Sequence, residues 1–443
     1  MKGFEYEKRR GSSIKTFAAL LAIFLIIIAI GYSAYKIFSV DAPVIEGLEA
    51  FNQLPLDKTI TLNGRNLKSI NISIIQNGKE TELLSDTPDG GKKIYALQIK
   101  PRELKLTDGP AKVVVKAKAG ILKKVEHEIN STIDTVPPAL EVLKTPEVIH
   151  QGSTGFALLR AGDASSLYVS NQGKTFKAFK TAAKEDSGVK QAMADYIVFF
   201  PVPLDIKDNR FFAVAEDAAG NKIVRSLPSR FMPVTYKTSS ITIGDAFINT
   251  VIAPLLNTTE ISDPVKAFKT VNEEMREKNR IKLDEITQTS SPEILWRGGF
   301  LQLKNGQVMA TYGDKRTYLY NGSAISSSVH LGYDLASLAH SPVEAANNGV
   351  VKYAGELGIY GNAVIIDHGL GVMSLYGHLS TIMVKEGQSV NKGDIIAKTG
   401  STGLAGGDHL HFGILVQGYE VSPLFWWDEH WIKDNILSNL EAN

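Results

Sequence analysis

Five ionisable side chains in the last third of the sequence have types and spacings that could do chemistry. His330 and Asp334 lie four residues apart, and His409 and His411 flank a single leucine. A strand places residues two or four apart on the same face, and a helix does so for residues four apart, so each pair can present both side chains to one site. His378, in a Tyr-Gly-His-Leu segment, is the fifth candidate. Imidazole and carboxylate groups in this arrangement favour a metal centre with acid–base chemistry.

The number of candidates fits a hydrolytic zinc site. A catalytic zinc ion needs three protein ligands and one open position for water, and histidine and aspartate suit it. Four histidines and one aspartate exceed that need by two. The two extra imidazoles can serve as a general base toward water and as a stabiliser of the oxyanion. The chain has no cysteine, which excludes thiolate ligands, disulfides and a cysteine nucleophile.

The elements around these residues are predicted to be strands. Residues 412–416 are apolar and continue from the His409–His411 pair, which indicates that this pair lies on a strand. Glycines punctuate residues 296–425 at intervals typical of tight β-turns, and almost no helical periodicity competes. The sequence therefore predicts an antiparallel β domain over 296–425, followed by an aromatic C-terminal tail over 426–443 that is expected to pack into the core.

This segment resembles the lysostaphin-type, or LytM-type, zinc metallopeptidases, which cleave peptidoglycan cross-links. The matching pieces run in order over some 100 residues, which is more specific than any single motif. They include His330-Leu-Gly-Tyr-Asp334-Leu-Ala336, Asn348-Gly-Val-Val351, Asp367-His-Gly369, Tyr376-Gly-His-Leu-Ser380, Gly400-Ser-Thr-Gly403 and His409-Leu-His-Phe412. Tyr312-Gly-Asp-Lys-Arg316 resembles the turn that precedes the metal strand in relatives and is expected at the edge of the substrate cleft.

The resemblance implies a role for each of the five candidates. His330, Asp334 and His411 match the zinc ligands, and His378 and His409 match the catalytic pair. Water is then the nucleophile, so no covalent intermediate is expected. We assign His409 as its base and His378 as donor to the oxyanion or the leaving amine, although the resemblance leaves their order open. No cofactor other than Zn²⁺ is implied.

The N-terminus predicts a membrane anchor. Residues 16–35 carry no charge, and the predicted span covers 16–38, enough to cross a bilayer core. Lys2, Lys8, Arg9, Arg10 and Lys15 precede it, which places the short tail (1–15) in the cytoplasm. The expected location is the bacterial inner membrane, with a single span and an extracytoplasmic, periplasmic C-terminal domain.

Between anchor and C-terminal domain, the sequence predicts two β modules and a linker. Short strand signals separated by turns favour immunoglobulin-like β-sandwiches over 42–136 and 137–240, and Asp217-Ala-Ala-Gly-Asn221 resembles a turn common in bacterial domains of that class. We interpret both modules as spacers. Residues 241–295 are predicted to be a linker with a loosely packed helix beginning at Asp263-Pro264. The whole chain is thus expected to be mostly β.

These features predict a membrane-anchored zinc metalloendopeptidase that hydrolyses peptide cross-links of peptidoglycan in wall growth or division. The alternatives are a non-enzymatic LytM-like regulator that activates a cell-wall amidase, a protein-directed zinc protease, and a structural wall-binding protein. Peptidoglycan and proteins of the wall-remodelling machinery are the expected partners. A net charge of +1 over 443 residues gives no general attraction for nucleic acid.

Overall fold

The computed structural model describes residues 12–88, 91–181, 193–206 and 210–438. The first helix, Ser12–Phe38, contains an apolar segment of 24 residues, Lys15–Phe38, with a mean hydropathy of 2.6. Most of its side chains from Lys15 onward are exposed. A helix this long and this apolar on all sides can cross a membrane. The predicted cytoplasmic tail, with Lys2, Lys8, Arg9 and Arg10, lies outside the described residues apart from its last four positions.

The first β module consists of two sheets around an apolar core. Its strands are β1 (Val44–Glu46), β2 (Gln53–Leu54), β3 (Lys58–Arg65), β4 (Ser69–Gln76), β5 (Lys79–Asp86), β6 (Lys92–Ile99), β7 (Gly109–Lys118) and β8 (Lys124–Ile133). The described strands pair in the orders β1-β3-β6 and β2-β8-β7-β4-β5. Alternate residues such as Ile60 and Leu62 point into the core, as the period-two pattern predicted. The immunoglobulin-like identity of this module stays a prediction.

Within its described residues, the second β module has two four-stranded sheets and one two-stranded sheet. Its strands are β9 (Ala139–Lys144), β10 (Val148–His150), β11 (Thr154–Gly162), β12 (Ser166–Asn171), β13 (Lys174–Lys177), β14 (Phe179–Lys180), β15 (Met193–Pro201), β16 (Phe212–Glu216), β17 (Lys222–Ser226) and β18 (Arg230–Met232). Among the described residues the orders are β14-β15-β11-β9 and β13-β12-β16-β17, with β10 and β18 as a parallel pair. In the turn before β17, Asp217 Oδ1 accepts hydrogen bonds from the backbone N–H groups of Gly220 and Asn221, both at 2.8 Å.

The predicted linker holds two helical segments that pack tightly. The first is Asp245–Leu255. The second covers 264–287 and consists of Pro264–Lys269, a π-helical turn Thr270–Met275, and Arg276–Thr287. It begins as predicted, because the Asp263 side chain accepts a hydrogen bond from Lys266 N at 2.9 Å. The expected loose packing is wrong: Phe268 and Val271 are fully buried in a core shared with the C-terminal sheet.

The C-terminal domain is built on one large antiparallel sheet. Its strands, with those of two small sheets beside it, are β19 (Thr238–Thr242), β20 (Gln307–Ala310), β21 (Lys315–Tyr320), β22 (Ser323–Val329), β23 (Tyr333–Ala336), β24 (Pro342–Glu344), β25 (Gly349–Glu356), β26 (Asn362–Asp367), β27 (Val372–Leu379), β28 (Thr381–Ile382), β29 (Ser389–Val390), β30 (Ile395–Lys398), β31 (Leu410–Val416) and β32 (Tyr419–Val421). The order of the large sheet is β20-β23-β31-β27-β26-β25-β29 within the described residues, and β32 pairs with β31. The small sheets are β24-β30-β28 and β19-β21-β22, in which β19 crosses the predicted boundary between the second β module and the linker and runs parallel to β21.

The aromatic tail joins the C-terminal domain to the second β module. It forms the short helices Leu424–Trp427 and Glu429–Ile432 and a π turn Lys433–Leu437. Trp426 is fully buried, and its indole N–H donates to Thr154 Oγ1 at 3.0 Å. Its ring lies 5.7 Å from that of Phe199. The expected core packing of the tail is therefore confirmed at Trp426. The two β regions belong to one compact unit, residues 138–216 and 222–443.

Candidate metal centre

Three of the predicted site residues meet at the pairing of β23 with β31. Asp334 lies directly opposite His411 in this antiparallel register, and His330 lies in the turn before β23. Asp334 Oδ1 is 2.9 Å from His330 Nε2 and 2.9 Å from His411 Nδ1, and the two ring nitrogens are 3.1 Å apart. Directly opposite residues of such a pair have neighbouring side chains, which explains why strand register brings the ligands together. The three residues could hold a metal ion.

A second layer of contacts orients the three ligands. His330 Nδ1 lies 3.0 Å from Thr311 O, so the ring donates there and keeps Nε2 as the free nitrogen. Arg316 donates to Asp334 Oδ2 at 3.4 Å and to Asp314 Oδ2 at 3.2 Å. Asp314 in turn accepts from Ser239 Oγ at 2.7 Å. Arg316, at the start of β21, thus holds the candidate ligand Asp334 and belongs to the Tyr312–Arg316 segment expected at the cleft edge.

The electrostatics of the site favour the forms that bind metal. Burial alone would raise the pKa of Asp334, but the neighbouring imidazoles of His330, His409 and His411 hold this pKa well below its usual range. Burial lowers the pKa of His411 to about 4, against the opposing effect of Asp334. An ionised carboxylate and neutral imidazoles are the ligand forms. Two nitrogens and one oxygen in a buried cluster fit Zn²⁺ with an open position.

The absence of a side chain at Gly332 leaves space for the imidazole ring of His411. A Cβ atom at this position would lie 2.5 Å from His411 Nε2 and 2.7 Å from Phe412 O. Real carbon atoms do not approach other heavy atoms this closely. The Gly between His330 and Asp334 is therefore a structural requirement of the ligand cluster.

The other two predicted residues lie beside this cluster. The rings of His378 and His409 are 4.7 Å apart, and the ring of His378 is 5.8 Å from that of His411. His378 Nδ1 is 2.8 Å from Thr402 O, and His409 Nδ1 is 2.8 Å from Gly407 O. Each ring therefore donates through Nδ1 and keeps Nε2 free. The free Nε2 of His409 lies 3.6 Å from Asp334 Oδ1.

Burial affects these two imidazoles differently. Burial and the neighbouring rings of His411 and His409 lower the pKa of His378 to about 3. Burial also lowers the pKa of His409, but the nearby carboxylate of Asp334, together with Gly407 O and Asp408, outweighs it and raises this pKa above the usual value. His378 has a positive φ of 63°, a conformation that non-glycine residues seldom adopt. Such strain is often found where a side chain must be aimed at a site.

A cavity of about 250 Å³ opens in front of all five residues. Sequence reasoning missed part of its wall, because Ile241, Phe247, Phe268 and Arg276 come from the predicted linker and lie far away along the chain. The helical spacing at Phe268 indicated a buried face but not the surface that buries it. Arg316, Tyr318, Ile359, Tyr360, Leu404 and Gly406 complete the wall.

The remaining histidines do not join the site. His368 is fully buried, with Nδ1 2.7 Å from Asn348 O and Nε2 2.7 Å from Ser374 Oγ. Burial lowers its pKa to about 4, so it is a neutral core residue. His430 is exposed on the C-terminal tail.

The sequence of the C-terminal domain matches peptidase family M23 over residues 328–423. The C-terminal part of this chain is a peptidase M23 domain. The resemblance inferred from the sequence is thus confirmed, as is a mostly β chain with an apolar N-terminal helix. Peptidases of this family are generally zinc-dependent.

Three relatives illustrate what this M23 domain is similar to. It is 43% identical over 96 residues to the DD-carboxypeptidase/endopeptidase Mpg of Neisseria meningitidis serogroup B, covering 22% of each chain. It is 40% identical over 95 residues to the peptidoglycan DD-endopeptidase ShyA of Vibrio cholerae, covering 21% of this chain and 22% of that one. Over 139 residues it is 35% identical to the murein hydrolase activator NlpD of Salmonella typhimurium, covering 31% and 33%. The chain matches a fifth to a third of the length of these relatives.

Proposed function

We propose that the protein is a membrane-anchored zinc metalloendopeptidase that hydrolyses peptide cross-links of peptidoglycan. The observation that carries this proposal is the convergence of five residues on one cavity. His330, Asp334 and His411 would hold the metal, and His378 and His409 lie beside them with their Nε2 atoms free. Relatives named as peptidoglycan or DD-endopeptidases support the choice of substrate.

The chemistry assigned to the residues follows from their hydrogen bonds. Zinc, when bound, polarises the scissile carbonyl and makes water a better nucleophile at neutral pH. Because His409 donates through Nδ1 to Gly407 O, its Nε2 lone pair can accept a proton from water. His378, held in the same way by Thr402 O, is placed to stabilise the oxyanion or to transfer a proton to the leaving amine.

The alternative function is a regulator that activates a separate wall hydrolase, and the similarity to a murein hydrolase activator favours testing it. An activator needs a binding surface for its partner and not a complete ligand set. Here all three ligand positions and both helper positions are filled and clustered, which supports the enzyme. A protein-directed zinc protease would use the same site, and the choice of substrate distinguishes it.

One experiment separates these functions. The full chain, purified in detergent, is incubated with wall sacculi, and freed amino groups and bound zinc are measured on the same samples. We expect wild type to release new peptide ends, and His378→Ala and His409→Ala to keep zinc but lose activity by on the order of a hundredfold or more. His430→Ala, an exposed site in the tail, is the control and should act as wild type. A fully metallated wild type that cleaves no class of wall cross-link would refute the endopeptidase and favour the regulator or the protein-directed protease.

We propose that the helix Ser12–Phe38 holds the protein in the cytoplasmic membrane with its M23 domain on the periplasmic side. The length and hydropathy of Lys15–Phe38 support the anchor, and the basic residues before it support the orientation. Protease added to spheroplasts should then remove the M23 domain. Protection of this domain until the membrane is broken would reverse the proposed orientation.

A further inference from the structure

We propose that Arg276 binds a carboxylate group of the substrate, so that the cavity prefers peptides with an acidic group near the scissile bond. This inference rests on the proposed peptidase function. It adds a specificity residue that lies outside the matched M23 segment, residues 328–423.

Arg276 reaches the cavity from the second helical segment of the linker. It follows the π turn Thr270–Met275 and begins the stretch Arg276–Thr287. Together with His330, Asp334 and the catalytic pair it lines the same 250 Å³ cavity. A substrate bound at the proposed metal ligands therefore occupies a cavity whose wall includes Arg276.

The guanidinium is held on one edge and open on the other. Its Nε donates to Asn272 O at 3.1 Å, and one terminal nitrogen donates to Asn272 Oδ1 at 3.0 Å. Asn272 is itself buried and donates through Nδ2 to Ser326 Oγ at 2.9 Å. Two of the five N–H donors of an arginine are used, so three on the terminal nitrogens remain. A carboxylate can accept from two of these in the bidentate geometry that arginine favours.

Arg276 has no carboxylate within ion-pair distance in the described part of the chain. Its hydrogen bonds there go to Asn272. Arg316, the other arginine of the cavity, differs because it is paired with both Asp314 and Asp334. Asp334 is the one carboxylate among the residues described as lining the cavity. The unpaired cation at the wall therefore favours an anionic ligand group.

Glu420 does not serve as the missing partner. Its Oε1 accepts a hydrogen bond from Tyr360 Oη at 3.0 Å, and it forms no ion pair with Arg276 among the described contacts. Burial raises the pKa of Glu420 above its usual value, although the positive charge of Arg276 acts in the opposite direction. A carboxyl group that already accepts from Tyr360 and forms no ion pair with Arg276 leaves the terminal nitrogens of Arg276 available to a ligand.

The test compares two synthetic cross-linked peptides that differ in one group, a carboxylate in the first and a carboxamide in the second. The full chain is used, and kcat/KM is measured for both peptides. We expect wild type to prefer the carboxylate by on the order of 10- to 100-fold, and Arg276→Gln to cleave both at similar rates. Arg280→Gln is the matched control, since Arg280 lies four residues on, pairs with Glu277 and Asp284, and is absent from the cavity wall.

Each outcome decides a different point. An Arg276→Gln variant that keeps the wild-type preference overturns the assignment. Cleavage of neither peptide by metallated wild type instead counts against the proposed function itself. If Arg276→Gln does not fold, as judged by bound zinc and thermal unfolding, Arg276→Lys replaces it. This variant keeps the charge but loses the bidentate fork, so its preference should fall several-fold, and an unchanged preference would again overturn the assignment.

Discussion

Replacing Gly332 with alanine tests whether close backbone approach sets the geometry of the ligand cluster. The added Cβ would lie 2.5 Å from His411 Nε2 and 2.6 Å from its Cε1. An ordinary contact needs about 3.5 Å, so the ring must move by roughly 1 Å. Metal–ligand distances tolerate only about 0.2 Å. The shift of the His411 ring is several times this tolerance, so the added methyl group should disturb metal binding.

We expect Gly332→Ala to weaken zinc binding by at least 10- to 100-fold, because a displaced ligand is at least as harmful as a lost supporting contact. Overpacking should lower the free energy of unfolding by about 1–3 kcal/mol, which leaves the domain folded. Zinc affinity is measured by competition with a chelator, and folding by denaturant titration.

Gly413→Ala is the matched control for this experiment. Gly413 lies on the same strand as His411, and an added Cβ would meet Leu375 Cβ at 3.7 Å and Leu331 O at 3.8 Å, which are ordinary contacts. This variant should bind zinc as wild type does. Wild-type zinc affinity in Gly332→Ala, or an equal loss in both variants, would refute the argument from close approach.

Three further predictions follow from the site and its supports. His330→Ala and His411→Ala should each lose most of the one equivalent of zinc expected after dialysis, since two ligands hold the ion poorly; full occupancy in both would refute the ligand assignment. The pKa of His368 is lowered from 6.5 to about 4 in the folded protein, so its contribution to stability is complete above pH 6.5 and is lost as the pH falls through 4. The free energy of unfolding should therefore fall between pH 7 and pH 4 by about 3 kcal/mol more in wild type than in His368→Gln. Phe268→Ala should lower the free energy of unfolding by about 3–5 kcal/mol, because the Phe268 ring is fully buried. Ile281 on the same segment is 47% exposed, so Ile281→Ala should lower this free energy by less than about 1 kcal/mol. Equal effects of the two substitutions would place the helix outside the core.

The five site residues could be found in the sequence because strand geometry is periodic over short distances. His409 and His411 share a face through a spacing of two, and the segment that carries His330 and Asp334 matches a known pattern. The pairing of Asp334 with His411 is different, because it joins residues that are far apart along the chain. The sequence alone supports this pairing only through family resemblance.

The linker shows where sequence reasoning failed. Val265, Phe268, Val271 and Met275 recur at helical spacing, which indicates that one face is buried. Periodicity does not say against what surface that face packs. The helix was therefore predicted to be loose, while the structure buries Phe268 and Val271 against the C-terminal sheet. Arg276 follows this pattern directly, and the periodicity does not indicate that its side chain lines a cavity.

The origin of the cavity wall has a consequence for how such proteins diversify. The proposed metal ligands lie within 328–423, whereas four other residues of the cavity wall precede that range by 50 residues or more: Ile241, Phe247, Phe268 and Arg276. Substitutions there can change which peptide enters while the ligand set stays identical. Two homologues with the same five site residues can therefore have different substrates, and exchanging residues 238–287 between them would transfer selectivity without touching the chemistry.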